Sequence, residues 1–276
     1  MSDEKRLQKL FGLALVVLLL GGCAGAQAEP TATPAPPTAT PTAAPTPVPA
    51  TATSDALSWD YVALGDSNAS LFTNRYAKHI EADLGVNVTL HNWCMGSQSS
   101  TEMLGVLRDN QDLRSDLREA EVVTFLVSPQ HFRGPDYDYR HGTCGGADNQ
   151  DCLRETLTLL KADTDAIFAE VLSLRSPSDT IIRPMTYYNP VVNTWKDQGC
   201  FEDLNHYWVA HNKNLIQAAS EHNIPVARVD LAFNGPNLDE DPSDKGYLSD
   251  GMHSNVEGVF LLADLHRELG YEPLAP

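Results

Sequence analysis

Residues 57–276 predict an α/β domain in which helices cover both faces of a five-stranded parallel sheet. Short runs rich in β-branched and aromatic residues alternate along this segment with longer runs whose apolar residues recur every three or four positions. The segment is also long enough to bury a substantial core, and it contains no internal repeat. We therefore expect a single folded α/β domain.

The apolar patterns place the strands and helices of this domain. The strand candidates are short runs at 61–64, 86–93, 122–127, 180–185 and 226–231. The helix candidates are longer runs at 69–84, 99–120 with a break near 109–110, 152–175, 204–222 and 256–269. In parallel sheets of this kind, ligands bind beyond the carboxyl ends of the strands. Functional residues are therefore expected where the strand candidates end.

The amino terminus is typical of an exported bacterial lipoprotein. Residues 1–22 are predicted to be a signal peptide, because basic residues precede an apolar run at 10–20 that is too short for a comfortable membrane span. The run ends in Leu-Gly-Gly-Cys, which resembles a lipobox and predicts lipidation of Cys23. A secretory signal whose cleavage site happens to contain cysteine is the alternative.

Residues 23–56 are predicted to be a disordered tether. They consist almost wholly of Ala, Thr and Pro, so they bury too little apolar surface to offset chain entropy, and the prolines keep them extended. The predicted location is therefore the cell envelope, with the domain on the extracytoplasmic side and the lipid at Cys23 as its contact with the membrane.

The overall composition excludes several classes of function. The formal net charge of −18 argues against nucleic acid or an anionic membrane surface as the main partner. The nine histidines are scattered and no Cys-x-x-Cys pair occurs, so no metal site is predicted. The oligomeric state is not indicated.

A Gly-Asp-Ser turn at 65–67 links the first strand candidate to a helical run. This layout places the Ser67 hydroxyl at the carboxyl end of a strand and the amino end of a helix, where oriented N–H groups favour developing negative charge. By itself the tripeptide is weak evidence, because most such turns only redirect the chain.

A second motif, Asp250-x-x-His253, lies near the other end of the chain. A serine hydroxyl becomes a good nucleophile when a base takes its proton, and a neutral histidine oriented by a carboxylate is the usual base. Asp250 and His253 can supply both groups to Ser67. The same residues are also compatible with a turn before a helix that has Ser254 or Asn255 as its N-cap.

Together the two motifs resemble the SGNH hydrolases, also called the GDSL family of lipases and esterases. The turn at 65–67 matches the first block of that family, and Asp250-x-x-His253 matches its last block. The resemblance implies a flavodoxin-like three-layer α/β/α sandwich and a catalytic triad of Ser67, Asp250 and His253. It implies that no cofactor or metal ion is required.

The resemblance also predicts an oxyanion hole. Residues 92–97 resemble the glycine block of the family, so the Gly96 N–H is predicted to join that of Ser67. Where the family has Gly-x-Asn-Asp, this chain reads Val-Ser-Pro-Gln-His, and Gln130 is the only side-chain amide in register. Loss of one oxyanion donor typically costs about 10²- to 10³-fold in turnover. A catalytically impaired surface binding lipoprotein is therefore the alternative to an enzyme.

Four cysteines fall within the predicted domain, which suggests two disulfides in an exported protein. Cys144 and Cys152 bracket a short glycine-rich loop, so we favour their pairing. That leaves Cys94 and Cys200, whose disulfide would stiffen one wall of the site. A role for Cys94 as a second nucleophile is a weaker alternative, because a reactive thiol needs positive surroundings.

Two segments predicted to be irregular are expected to shape the substrate site, 132–150 and 187–190, together with Trp195. Their mixture of aromatic and polar residues suits a small acyl ester or a sugar ring better than a long fatty chain. The sequence therefore predicts a lipid-anchored serine esterase that acts on small-molecule or carbohydrate esters, with acetyl or other small acyl groups.

Overall fold

The computed structural model describes residues 57–275, and the predicted signal peptide, Cys23 and the predicted tether lie outside the described residues. The strands are β1 (Ser58–Leu64), β2 (Asn87–Asn92), β3 (Val122–Phe125) and β4 (Ile181–Pro184). The helices are α1 (Ser67–Leu71), α2 (Thr73–Leu84), α3 (Ser100–Asp109), α4 (Gln111–Glu119), α5 (Arg133–Arg140), α6 (Asp151–Leu174), α7 (Val192–Asp197), α8 (Phe201–Ser220), α9 (Val229–Asn234) and α10 (Val256–Glu268). A 3₁₀ turn at Gln130–Phe132 leads into α5.

The strands form a parallel sheet in the order β2-β1-β3-β4. This order is that of flavodoxin-like doubly wound folds, in which β1 lies inside the sheet and ligands bind where the strand order reverses. The register pairs Ala63 of β1 with Asn92 and Leu64 with Phe125. The segments that follow β1, β2 and β3 therefore leave the sheet at the same edge, and they contain Ser67, Gly96 and Gln130.

Apolar layers cover both faces of the sheet. Tyr61 and Ala63 of β1 pack with residues of α2, α9 and α10 on one face, whereas Val62 and Leu64 pack with residues of α3, α4, α6 and α8 on the other. All four residues are buried, which explains why the second half of β1, residues 61–64, is continuously apolar and does not alternate. The predicted three-layer α/β/α class is confirmed.

The predicted fifth strand at 226–231 is wrong in the described residues. Only one parallel bridge forms there, between Met185 and Ala227, and α9 begins two residues later. The Asp230 N–H donates to the Thr186 hydroxyl at 3.0 Å, and that hydroxyl donates to the Asp230 carboxylate at 2.8 Å. These side-chain bonds replace the ladder that would continue a strand, and they start a helix.

The five predicted helical runs are helical, with boundaries shifted by a few residues, and the first two are each divided into two helices. The predicted break near 109–110 is confirmed, because Asn110 ends α3 and its side chain accepts the N–H groups of Asp112 and Leu113 at the start of α4. The expectation that 132–150 is irregular is wrong in part, since α5 lies inside it. No helix within residues 57–275 is long and apolar enough to cross a membrane.

Candidate active site

The turn at 65–67 holds Ser67 at the end of β1. Gly65 has a φ of +133°, and a Cβ there would lie 2.8 Å from the Ala69 Cβ, so only glycine fits. Asp66 is the N-cap of α1 and accepts the Asn68 N–H at 2.9 Å. Its other oxygen accepts the Ser128 hydroxyl at 2.7 Å, which ties the turn to the segment after β3. Burial raises the pKa of the Asp66 carboxyl group.

Ser67, His253 and Asp250 meet in space as the two motifs predict. The Ser67 Oγ lies 3.0 Å from the His253 Nε2, and the His253 Nδ1 lies 2.7 Å from the Asp250 Oδ2. An Nδ1–H that donates to the carboxylate leaves Nε2 free to accept the serine proton. The chain therefore brings a hydroxyl, an imidazole and a carboxylate into one hydrogen-bonded line, as a catalytic triad requires.

Asp250 also organises the loop that contains the histidine. Its Oδ1 accepts the N–H groups of Met252 at 3.0 Å and of His253 at 2.7 Å. These hydrogen bonds, led by that of the His253 backbone, hold the pKa of the Asp250 carboxyl group below its usual range. Asn255 is the N-cap of α10, as one of the two predicted candidates, and its side chain accepts the Gly258 N–H at 3.0 Å.

A buried tyrosine, Tyr188, connects the loop of Ser67 with the loop of His253. The sequence did not predict this connection. The Tyr188 hydroxyl lies 2.6 Å from the carbonyl oxygen of Met252 and 3.0 Å from the Asn68 Oδ1. Met252 directly precedes His253, and Asn68 directly follows Ser67. Tyr188 is fully buried and does not line the pocket beside Ser67. Its only sequence signal was its place after the fourth strand, which does not distinguish it from its neighbours.

Tyr188→Phe is expected to lower kcat for an ester substrate by about 10- to 100-fold while KM changes less than about twofold, because small errors in the placement of reacting groups are costly. The ring would keep its stacking on Phe233, at a centroid distance of 4.5 Å. Steady-state kinetics separate kcat from KM.

Tyr61→Phe is the matched control for this prediction. It removes another buried tyrosine hydroxyl, which is hydrogen-bonded to Thr124 at 2.8 Å within the sheet. We expect it to lower the free energy of unfolding without a selective loss of kcat. Equal kcat values for the two variants would contradict the positioning role of Tyr188.

The two other predicted oxyanion donors lie in loops that border the same space. Gln130 lines the pocket, and its Oε1 is 3.5 Å from the Arg133 Nη1. Its Nε2 has no hydrogen-bond partner among the described residues. Gly96 is exposed, and its neighbour Ser97, with a φ of +58°, lines the pocket. The roles of Gly96 and Gln130 as oxyanion donors stay predictions.

The cysteines confirm one predicted disulfide and contradict the other. Cys144 and Cys152 are bonded, with Cα atoms 5.0 Å apart. Cys94 and Cys200 are free thiols, because Cys94 packs in the layer of α2 and α10 whereas Cys200 packs in a separate cluster beside Trp195. Burial raises the pKa of the Cys94 thiol to about 12, which argues against its use as a second nucleophile near neutral pH.

A cavity of about 470 Å³ opens beside the Ser67 and His253 side chains. Its walls include the rings of Tyr187, Trp195 and Trp208, and Trp208 packs edge to face on the other two. Tyr187 and Trp195 belong to the residues expected to shape the substrate site, whereas Trp208 lies on α8, within the helix predicted at 204–222. The cavity is the place where a substrate can reach the serine.

Solved structures with the same architecture include several enzymes. A lipase from a goat rumen metagenome has a TM-score of 0.64 at 20% identity, covering 78% of this chain and 99% of its own. An acetyl xylan esterase variant from Geobacillus stearothermophilus has a TM-score of 0.55 at 14% identity, and the match covers 79% of this chain and 98% of the esterase. An alpha/beta hydrolase from the metagenome of Lake Arreo, Spain, has a TM-score of 0.53 at 15% identity, covering 76% and 94%. No family model and no curated protein sequence matches the chain.

These structures share the fold of this chain over nearly their whole length. The chain thus has the α/β/α fold of these lipase and esterase structures, the fold class that the sequence predicted.

Proposed function

We propose that this protein is a serine esterase that hydrolyses carboxylic esters. The observation that carries the proposal is the hydrogen-bonded line from Ser67 through His253 to Asp250, with contacts of 3.0 and 2.7 Å. The cavity beside Ser67 and the shared fold of solved lipases and esterases support it.

In the proposed reaction, the Ser67 Oγ attacks the ester carbonyl carbon while the His253 Nε2 takes the hydroxyl proton. The Asp250 carboxylate keeps the ring oriented and stabilises its positive charge. The backbone N–H groups of Ser67 and Gly96 and the Gln130 amide stabilise the oxyanion. His253 then gives the proton to the leaving alcohol, and water, activated by the same base, releases the acid and restores Ser67.

We further propose that the ester carries an acetyl or other small acyl group, on a small molecule or a carbohydrate. The edge-to-face rings of Trp195 and Trp208 give the pocket flat apolar surfaces, which suit a sugar ring. Lipid anchoring at Cys23 on the cell surface rests on the first 23 residues, which precede the described ones.

A fluorophosphonate probe tests the proposed function directly, because it forms a covalent bond only with an activated serine. We expect one equivalent of label, located at Ser67 by peptide mass spectrometry, and none on Ser67→Ala. The alternative, a binding lipoprotein with impaired chemistry, predicts no label on either protein. Rates on p-nitrophenyl esters from acetate to dodecanoate would then rank acyl lengths, and a maximum at long chains would contradict the proposed small acyl group.

A further inference from the structure

The charged residues of the pocket wall, apart from His253, all come from α5. They are Arg133, Asp136 and Arg140, and they stand among aromatic and other apolar side chains. A formal count gives this wall one positive charge. That excess is unexpected in a chain with 37 acidic and 19 basic residues.

Asp136 and Arg140 satisfy each other. The Arg140 Nη2 lies 2.6 Å from the Asp136 Oδ2, and the Trp195 Nε1 donates to the Asp136 Oδ1 at 3.1 Å. The Arg140 Nη1 donates to the Gln198 side-chain oxygen at 3.3 Å. This pair is therefore neutral and fixed to the pocket wall through Trp195.

Arg133 has no such partner. Among residues 57–275, no carboxylate lies within 4.0 Å of its guanidinium group, and its one hydrogen bond to a side chain is the long one of 3.5 Å to the Gln130 Oε1. Arg133 is exposed where it borders the pocket, so water hydrates its charge when the substrate is neutral, whereas an anionic substrate would pair with it directly. A hydrogen bond between two charged groups is stronger than one between neutral groups.

We propose that Arg133 selects esters that carry a carboxylate, such as the hemiester of a dicarboxylic acid. This inference rests on the proposed function and names the substrate class of the same site. The planar guanidinium group offers two parallel N–H donors that match the two oxygens of a carboxylate. Because Gln130 precedes Arg133 by one helical turn, a carboxylate bound there would lie close to the predicted oxyanion hole.

Matched ester pairs test the proposal on the full chain. The first pair is mono-p-nitrophenyl adipate and p-nitrophenyl hexanoate, which differ by a carboxylate at the end of the acyl group. The second pair is 4-carboxyphenyl hexanoate and phenyl hexanoate, which places the carboxylate on the alcohol. Spontaneous hydrolysis is subtracted in each case, and the ratio of kcat/KM within a pair is the measured quantity.

The unmodified protein is expected to favour the anionic member of at least one pair by about tenfold, and Arg133→Gln is expected to abolish that preference, mainly through KM. Arg133→Lys is expected to keep part of it, because the charge remains while the planar fork is lost. Arg75→Gln serves as the control, since Arg75 lies over Phe260 outside the pocket, and we expect the ratio to be unchanged.

Two outcomes overturn the proposal, and they differ in what else they remove. Equal ratios in the unmodified protein and in Arg133→Gln, with neutral esters hydrolysed in a Ser67-dependent way, would remove the selectivity alone. Absence of hydrolysis for both members of both pairs, together with no fluorophosphonate label, would remove the proposed esterase function as well.

Discussion

Ser67→Ala is expected to lower kcat for p-nitrophenyl acetate by about 10⁴- to 10⁶-fold, the range over which loss of a triad nucleophile acts in serine hydrolases. The reason is chemical, because alanine has no oxygen that can attack the carbonyl carbon. Among residues 57–275, the hydroxyl of Ser67 has one side-chain hydrogen-bond partner, the His253 Nε2. His253 is itself partly exposed, so it can bind water once that partner is removed. The folded state should therefore lose little stability.

Ser70→Ala is the matched control for this result. Ser70 also lies on α1, and its hydroxyl accepts the Asn92 amide at 2.8 Å outside the line of Ser67 and His253. We expect near-normal turnover from this variant and a Tm within a few degrees of the unmodified protein for both variants. Turnover retained in Ser67→Ala with an unchanged Tm would show that the serine is not the nucleophile.

The part of the site that the sequence predicts is the part made by short-range patterns. Gly65 to Ser67 follow a strand and begin a helix, and Asp250 reaches His253 across three residues, so each loop could be interpreted alone. The parallel sheet predicts that Ser67, Gly96 and Gln130 share one edge, because parallel strands deliver their carboxyl ends to the same edge. The loop of Asp250 and His253 follows no strand of the described sheet, and only the resemblance implied that it meets Ser67. The structure adds the distances, including 3.0 Å between the Ser67 Oγ and the His253 Nε2.

The features that the sequence does not predict depend on contacts between distant segments. Hydrogen bonds between Thr186 and Asp230 start a helix where the fifth strand was predicted. The two residues are far apart in the sequence, so local propensity does not reveal that they pair. The Cys94 and Cys200 thiols stay apart because their neighbours pack into different apolar clusters. The Tyr188 hydroxyl contacts Met252 and Asn68, which are the chain neighbours of His253 and Ser67. Neither contact involves a motif residue, so the motifs do not point to Tyr188.

Arg133 shows the same limit for specificity. In the sequence it is one basic residue in a segment expected to be irregular, whereas the structure makes it the first residue of α5 and places it in the wall of the pocket. Arg133 forms no ion pair among the described residues, because Asp136, three residues later, is already bound by Arg140 and Trp195. The proposed selectivity depends on that free charge. Charge partners of this kind emerge only when the packing of α5 on the pocket is known.

Asp250→Asn is expected to lower kcat by about 10⁴-fold at neutral pH while the protein stays folded, as loss of the orienting carboxylate does in serine proteases. An asparagine can present its N–H₂ group to the His253 Nδ1, which favours the tautomer protonated at Nε2. That tautomer cannot accept the Ser67 proton. Because hydrogen bonds hold the pKa of the Asp250 carboxyl group below its usual range, it is ionised at every pH above that range. Asp250 is therefore not expected to produce an acid limb near neutral pH in the unmodified protein.

Asp264→Asn provides the comparison, since the Asp264 Oδ1 lies 2.9 Å from the Nε2 of another histidine, His79. Neither residue lines the pocket. Both substitutions remove one carboxylate beside one imidazole, so the loss of charge is the same in the two proteins. The rate of fluorophosphonate labelling reports how well each variant activates Ser67. We would measure it from about pH 5 to about pH 9, the range in which a histidine base titrates. A fall for Asp250→Asn alone supports a line of proton transfer that depends on one oriented imidazole, and equal rates for the two variants would contradict the role of Asp250.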